Sequence, residues 1–210
     1  DLMTDAGALV AGSLDEFLDL VRVSSVLHGR RFAGRRVALL SNAGYESVAM
    51  ADNHRGEGHA LTAATLSPRT VERIGALLDE AHIGSLVTVH NPLDITPMAD
   101  DAVYDGCQRA ILDDPGVDAA VFGNVPLSAR LQSLPRGVSE RDVFDAPRGY
   151  ANLTIELFRA ATKPFVVVID AGRLYDSLAF HLQDAGVPVF RSGDVAVRTL
   201  GRYVDSRLVR

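Results

Sequence analysis

The chain has 210 residues, 47% of them hydrophobic and 23% charged, with a formal net charge of −6. That apolar content argues against a disordered chain, and no apolar run approaches the roughly 20 residues of a membrane span. The mild acidity argues against a nucleic-acid partner, which selects a basic face. The opening DLMTDAGALVAG carries acid where an export signal carries base, so a cytoplasmic location is expected. The start at Asp1 rather than at a methionine reads as an excised fragment. Cys107, the one cysteine, falls in a predicted helix and reads as a buried thiol in a reducing compartment. Lys163 is the only lysine among 21 basic residues.

In chain order, Ser13 and Glu16 fit a capping box at the start of a helix. Leu14, Phe17, Leu18 and Val21 make the stripe expected to be buried. This helix reads as a lead-in from a preceding domain, with residues 1–33 as the lead-in and 34–210 as the main domain. Short apolar runs then alternate with helix-length segments. The runs are Val37–Leu40, the mixed Ala60–Leu66, Ala119–Phe122, Phe165–Ile169 and Pro188–Phe190. Several are apolar at consecutive positions, as strands buried on both faces are. Between them, Ser67 can cap a helix whose first position is Pro68 and whose stripe is Val71, Ile74, Leu78 and Ala81. Leu174, Leu178, Leu182 and Ala185 make another stripe, ended by Gly186 and Pro188, and Val197, Leu200 and Val204 make the last.

Five strands alternating with helices predict right-handed crossovers and one parallel sheet covered on both sides. The fold class expected is α/β, a flavodoxin-like three-layer sandwich with strand order 2-1-3-4-5. Residues 130–149, RLQSLPRGVSERDVFDAPRG, break the rhythm and are too long for an ordinary connection. They read as a mobile excursion, with a partner-contact loop as the alternative.

In such a sheet, ligands bind beyond the C-terminal strand ends where the strand order reverses, here between the first and third strands. The loop leaving the first strand is SNAGYES, Ser41–Ser47, and it feeds a helix. Small residues there leave backbone N–H groups free at the positive end of a helix dipole, an anion cradle in principle. Two further loops reach the same crevice. HNPLDIT, His90–Thr96, brings His90, Asn91 and Asp94, which read first as a structural turn; GNVPLS, Gly123–Ser128, brings Asn124. No metal is expected, because the six histidines show no metal-ligand spacing with one another or with the cysteine. No GxSxG elbow is present and no serine is marked as a nucleophile.

At these motifs the chain resembles a known family. RRVALLSNAGYESVAMAD resembles the segment that opens the last flavodoxin-like domain in the α part of NDP-forming acyl-CoA synthetases, relatives of succinyl-CoA synthetase. HNPLDIT is similar to that family's NPVDLT, and DDPGVDAAVFG, Asp113–Gly123, to its DPGVDAVLV. KPFVVVIDAG and AGVPVFRSGDVAVRTLGRYV resemble its last two strands and final helix, and AGALVAGSLDEFLDL resembles its lead-in. The resemblance therefore covers nearly everything except residues 130–149.

It implies a non-autonomous domain of an enzyme that converts a carboxylate, CoA and ATP to acyl-CoA, ADP and phosphate. In that family a histidine from another domain carries the phosphoryl group and is held between the N-termini of two helices. Here Asn42, Ala43, Gly44, Tyr45, Glu46 and Ser47 match one of those helix-leading loops. The implied partners are the CoA-binding, histidine-bearing and ATP-grasp domains or subunits. CoA and ATP with magnesium would serve the complete enzyme, none of them bound by this chain alone. The departure is at Gly44-Tyr45-Glu46-Ser47, where the family usually has GGPG. An acid near a phosphate costs about 1–4 kcal/mol at a protein surface. Either Glu46 holds the histidine differently, by a hydrogen bond to its imidazole, or the cradle is degenerate. The alternative is thus a non-catalytic binding or regulatory synthetase-like module, such as the inactive part of a fused protein acetyltransferase. A receiver domain is set aside because Asn42 and Asn124 stand where it needs acids.

Overall fold

The structure is a computed structural model that describes residues 2–5 and 8–208. A short helix α1, Leu2–Asp5, precedes α2, Leu14–Leu27, which starts where Ser13 Oγ accepts the Glu16 N–H at 3.2 Å. The face that α2 buries is not the predicted one. Leu20, Val23 and Leu27 go inward, whereas Leu14, Phe17, Leu18 and Val21 stay exposed. The helix carries two apolar faces, and only the one aimed at the last helix finds a partner.

Strand β1, Arg36–Ser41, leads into α3, Gly44–Asp52. A small antiparallel pair follows, β2 (Arg55–Gly56) with β3 (His59–Ala60), and then β4, Thr62–Ala63. Only the middle of the mixed run Ala60–Leu66 therefore joins the main sheet. Helix α4, Pro68–Glu80, is capped by Ser67, whose Oγ accepts the Thr70 N–H at 3.3 Å. It buries Ile74 and Leu78. Then come β5 (Leu93–Asp94), α5 (Asp101–Asp113), β6 (Ala119–Asn124), α6 (Tyr150–Ala160) and β7 (Phe165–Ile169). Helix α7, Asp176–Asp184, strand β8, Val189–Phe190, and helix α8, Gly193–Leu208, complete the described chain.

The main sheet runs β4-β1-β6-β7-β8, all pairings parallel, which is the order 2-1-3-4-5 of a flavodoxin-like sandwich. Every residue of β6 and β7 is buried, the reason their sequences are apolar at consecutive positions. Helices α3 and α8 pack together on one side, with α2 against α8. On the other side α4, α5, α6 and α7 form a row, each against the next.

The edge beside β1 is split. β4 pairs with its first half, at Arg36 and Val37, and β5 with its end, at Leu40 and Ser41. Between the two pieces the side chain of Asn91 acts as a peptide. Its Oδ1 accepts the Leu39 N–H at 2.8 Å, and its Nδ2 donates to the carbonyls of Val37 and Ala64, each at 2.9 Å. Asn91 is thus a structural member of the sheet, not a group presented to the crevice.

The excursion at 130–149 is irregular but held. Leu131 and Val143 are buried, Leu134 bridges to Val143, and the Phe144 ring meets the His181 ring at 5.3 Å. Both its ends are tied to one carboxylate. Asp101, in the first turn of α5, accepts the Gln132 N–H at 3.2 Å and the Tyr150 N–H at 2.7 Å. Cys107 is buried, as expected, and burial pushes its thiol up to about 12.

Candidate functional site

Strands β1 and β6 are neighbours, and the helices after them leave the sheet on opposite sides, so their C-terminal ends open a crevice. Two residues close the base of it. The Asn42 amide grips Val125 in both directions, Nδ2 donating to its carbonyl at 3.0 Å and Oδ1 accepting its N–H at 2.9 Å. Asn42 is buried and spends its polar atoms on this clamp, which fixes the loop after β1 to the loop after β6.

Above the clamp stands the start of α3. Ser13, Ser67 and Asp100 cap α2, α4 and α5 with their side chains, but α3 has no side-chain cap. The Ala43 N–H is taken by Ser41 Oγ at 3.1 Å, while those of Gly44, Tyr45 and Glu46 have no partner in the protein. Of α2 to α5 it is the helix without a side-chain cap, and it sits at the switch point.

Three acids surround those donors, in different ways. Glu46 turns inward and is 1% exposed. Its Oε2 accepts the Ser41 hydroxyl at 2.5 Å, and its Oε1 is buried without a partner. Room for it comes from two glycines far along the chain. A Cβ at Gly123 would collide with the Glu46 carboxyl, and one at Gly193 would stand 2.8 Å from Met50 Cγ and 3.4 Å from Glu46 Cγ. Burial pushes the Glu46 carboxyl up to about 7; the Ser41 hydrogen bond works against that shift and the Asp170 charge adds to it. The expected effect of Glu46 is therefore corrected on two counts. Its charge is not aimed at the crevice, and its carboxyl is not presented to an incoming imidazole.

The other two acids do face the crevice. Asp94 ends β5 in an Asx turn, Oδ1 accepting the Thr96 N–H at 2.9 Å, and its other oxygen would lie 3.2 Å from a Cβ at Gly44. Asp170 follows β7, and its Oδ2 accepts the Tyr45 hydroxyl at 3.1 Å. Burial, with Asp170 beside it, pushes the Tyr45 phenol up to about 12, so it remains a donor. Ser47 is buried with an unpartnered hydroxyl, Ala43 is the N-cap residue of α3, and His90 is exposed. The structure thus brings Asp94 to the loop Asn42–Ser47, while His90 and Asn91 stand away from it.

Asn124 does not face the crevice. It is fully buried, its amide beside the Tyr150 hydroxyl. It belongs to an interior polar group that the sequence reading missed. Tyr104 and Gln108 project from α5 and Tyr150 and Thr154 from α6, all buried, with the Tyr104 hydroxyl donating to the Gly123 carbonyl at 3.0 Å. The two tyrosine rings meet edge to face at 5.1 Å. The signal was there, since each pair is spaced i, i+4 and so shares one helix face with mostly apolar neighbours. Among the described residues no group of three or more His, Cys, Asp or Glu could hold a metal. None of the described helices is long and apolar enough to cross a membrane.

No protein-family model matches the chain. A curated relative does, the α subunit of ADP-forming acetate–CoA ligase II from Pyrococcus furiosus, 27% identical over 199 residues. The match takes in 91% of this chain and 37% of the relative, so the chain spans little more than a third of that protein. Among solved structures, a protein of Pyrococcus horikoshii OT3 superposes with a TM-score of 0.77 at 23% identity, over 99% of this chain and 43% of that one. Acetyl-coenzyme A synthetase 1 of Ca. Korarchaeum cryptofilum, solved with phosphate and ADP, superposes with a TM-score of 0.73 at 21% identity. It is matched over 98% of this chain and 40% of its own. The sequence motifs and the fold point the same way: the chain is similar, along nearly its whole length, to one part of the α subunit of an ADP-forming acetate–CoA ligase.

Proposed function

We propose that this chain is a non-autonomous, cytoplasmic domain of an NDP-forming acyl-CoA synthetase, and that the start of α3 helps to hold a phosphohistidine brought by another domain. The observation that carries this reading is the uncapped first turn of α3, with the N–H groups of Gly44, Tyr45 and Glu46 open at the switch point. In this reading those donors take phosphoryl oxygens, Asn42 keeps the loop from moving, and Glu46, pushed up to about 7 by burial, carries only part of its charge at neutral pH. CoA, ATP and the carboxylate are handled by partner domains, and the chain alone performs no turnover. Incubated with ATP, CoA and acetate, it is expected to yield neither acyl-CoA nor ADP; turnover without an added subunit would sink this reading.

A second reading has its own observation. Asp94 and Asp170 flank the same donors and repel an anion. That favours a non-catalytic synthetase-like module, as in a fused protein acetyltransferase. Titration with phosphate, followed by the amide signals of residues 42–47, separates the two. Saturable shifts confined to Gly44–Ser47 support the synthetase role, and their absence at low salt selects the non-catalytic module.

A further inference from the structure

The opposite end of the sheet carries a second concavity. Residues 29–33 run from α2 to β1 and residues 161–163 from α6 to β7, so both segments lie at the N-terminal ends of strands. Between them is a groove of about 790 Å³, lined by Val26, His28, Arg30, Arg31, Ala161 and Lys163 among others. Its size is that of a small-molecule site. No Asp or Glu lines it, in a chain with 27 acids to 21 Lys and Arg.

The cations are positioned without being neutralised. The Arg30 guanidinium lies 4.7 Å from the Phe158 ring centre, and its Nη2 donates to the Phe158 carbonyl at 2.5 Å. The Lys163 ammonium donates to the Asp114 carbonyl at 2.5 Å. A carbonyl and a ring fix direction but leave the charge whole. Arg36, Arg73 and Arg109, by contrast, end on carboxylates. Among the described residues, Arg30, Arg31 and Lys163 make no ion pair. The nearby acids Asp113, Asp114 and Asp118 are felt by Lys163, but burial outweighs them and lowers its pKa. Arg31 is exposed.

We propose that this groove binds a phosphorylated small molecule with an apolar or aromatic body. Arg31, Lys163 and His28 take the phosphate oxygens, and the body lies over Val26 and Ala161. Arginine suits the task because its planar fork matches a phosphate with two parallel hydrogen bonds. The assignment stands apart from the synthetase reading and uses none of its residues.

Calorimetric titration of the 210-residue chain with ADP and with pyrophosphate tests it. Saturable ADP binding is expected, weakening as salt rises. Arg31→Glu and Lys163→Met are each expected to weaken it about tenfold or more, the scale of one charge-assisted contact. Arg148→Glu makes the same charge change at an exposed arginine outside the groove, and is expected to cost under about threefold. No saturable ADP binding at low salt would overturn the proposal. So would an equal loss in Arg148→Glu, which would mark a diffuse charge effect. Pyrophosphate binding as tightly as ADP would overturn the part assigned to the apolar floor.

Discussion

The crevice at one end of this sheet and the groove at the other treat charge in opposite ways. At the C-terminal end, polar groups are spent on one another: Asn42 on Val125, Ser41 on Glu46, Tyr45 on Asp170. At the N-terminal end, Arg30 and Lys163 are held by neutral carbonyls and keep their charge. The first pattern builds a rigid crevice in which the open donors facing outward are the backbone N–H groups of Gly44, Tyr45 and Glu46. The second builds a field. A ligand at the first end must fit a fixed shape, whereas one at the second needs mainly the right sign.

The sharpest way to break this contrast is to remove the charge buried at the C-terminal end. The Glu46 carboxyl titrates at about 7 in the fold against an ordinary 4.5. Between those values the folded chain holds the proton more firmly than the unfolded one. The stability attached to this group is therefore fully present below about pH 4.5, falls as pH rises, and is gone past about pH 7. The swing is on the order of 3 kcal/mol. Urea unfolding of the parent chain and of Glu46→Gln across pH 4.5–8 is expected to show their difference in stability changing over that window. A constant difference would mean that Glu46 is ionised throughout.

A smaller effect is expected from filling its berth. Gly123→Ala puts a methyl where the carboxyl lies and is expected to cost about 1–3 kcal/mol, as overpacking does. In a domain of this size that lowers the melting temperature by a few degrees per kcal/mol. Combined with Glu46→Gly, which vacates the space, the loss should be less than additive. The smallest effect belongs to the other end. Arg31→Glu is expected to change stability by under about 0.5 kcal/mol, since the side chain is exposed and unpaired. A large loss there would show that Arg31 supports the fold rather than a ligand.

The parallel sheet was legible because burial on both faces leaves a signature no other strand has, runs such as Phe165–Ile169 with no polar residue. The caps at Ser13 and Ser67 were legible because capping is local. What the sequence did not show is what depends on distant residues. Nothing near Glu46 announces that Gly123 and Gly193 make room for it, so a charge in the first turn of a helix reads as an exposed one. Helix α2 failed for a related reason. With apolar residues on two faces, periodicity says that a face will be buried but not which. That choice lay with α8, some 180 residues on. The excursion at 130–149 reads as loose from its composition, but the Asp101 carboxylate that gathers its two ends lies in an earlier helix.

Asn91 has a consequence for how this molecule meets other chains. An exposed strand edge is a template on which a foreign strand can grow, because it offers an unbroken row of donors and acceptors. Beside β1 that row is never offered. Two stubs of two residues each cover its ends, and one amide side chain satisfies Leu39 and Val37 between them. An intruding strand would have to evict a side chain that makes three hydrogen bonds before forming any of its own. Between the two stubs the edge is closed by a single side chain, at no cost in chain length, and Asn91→Ala would reopen that gap.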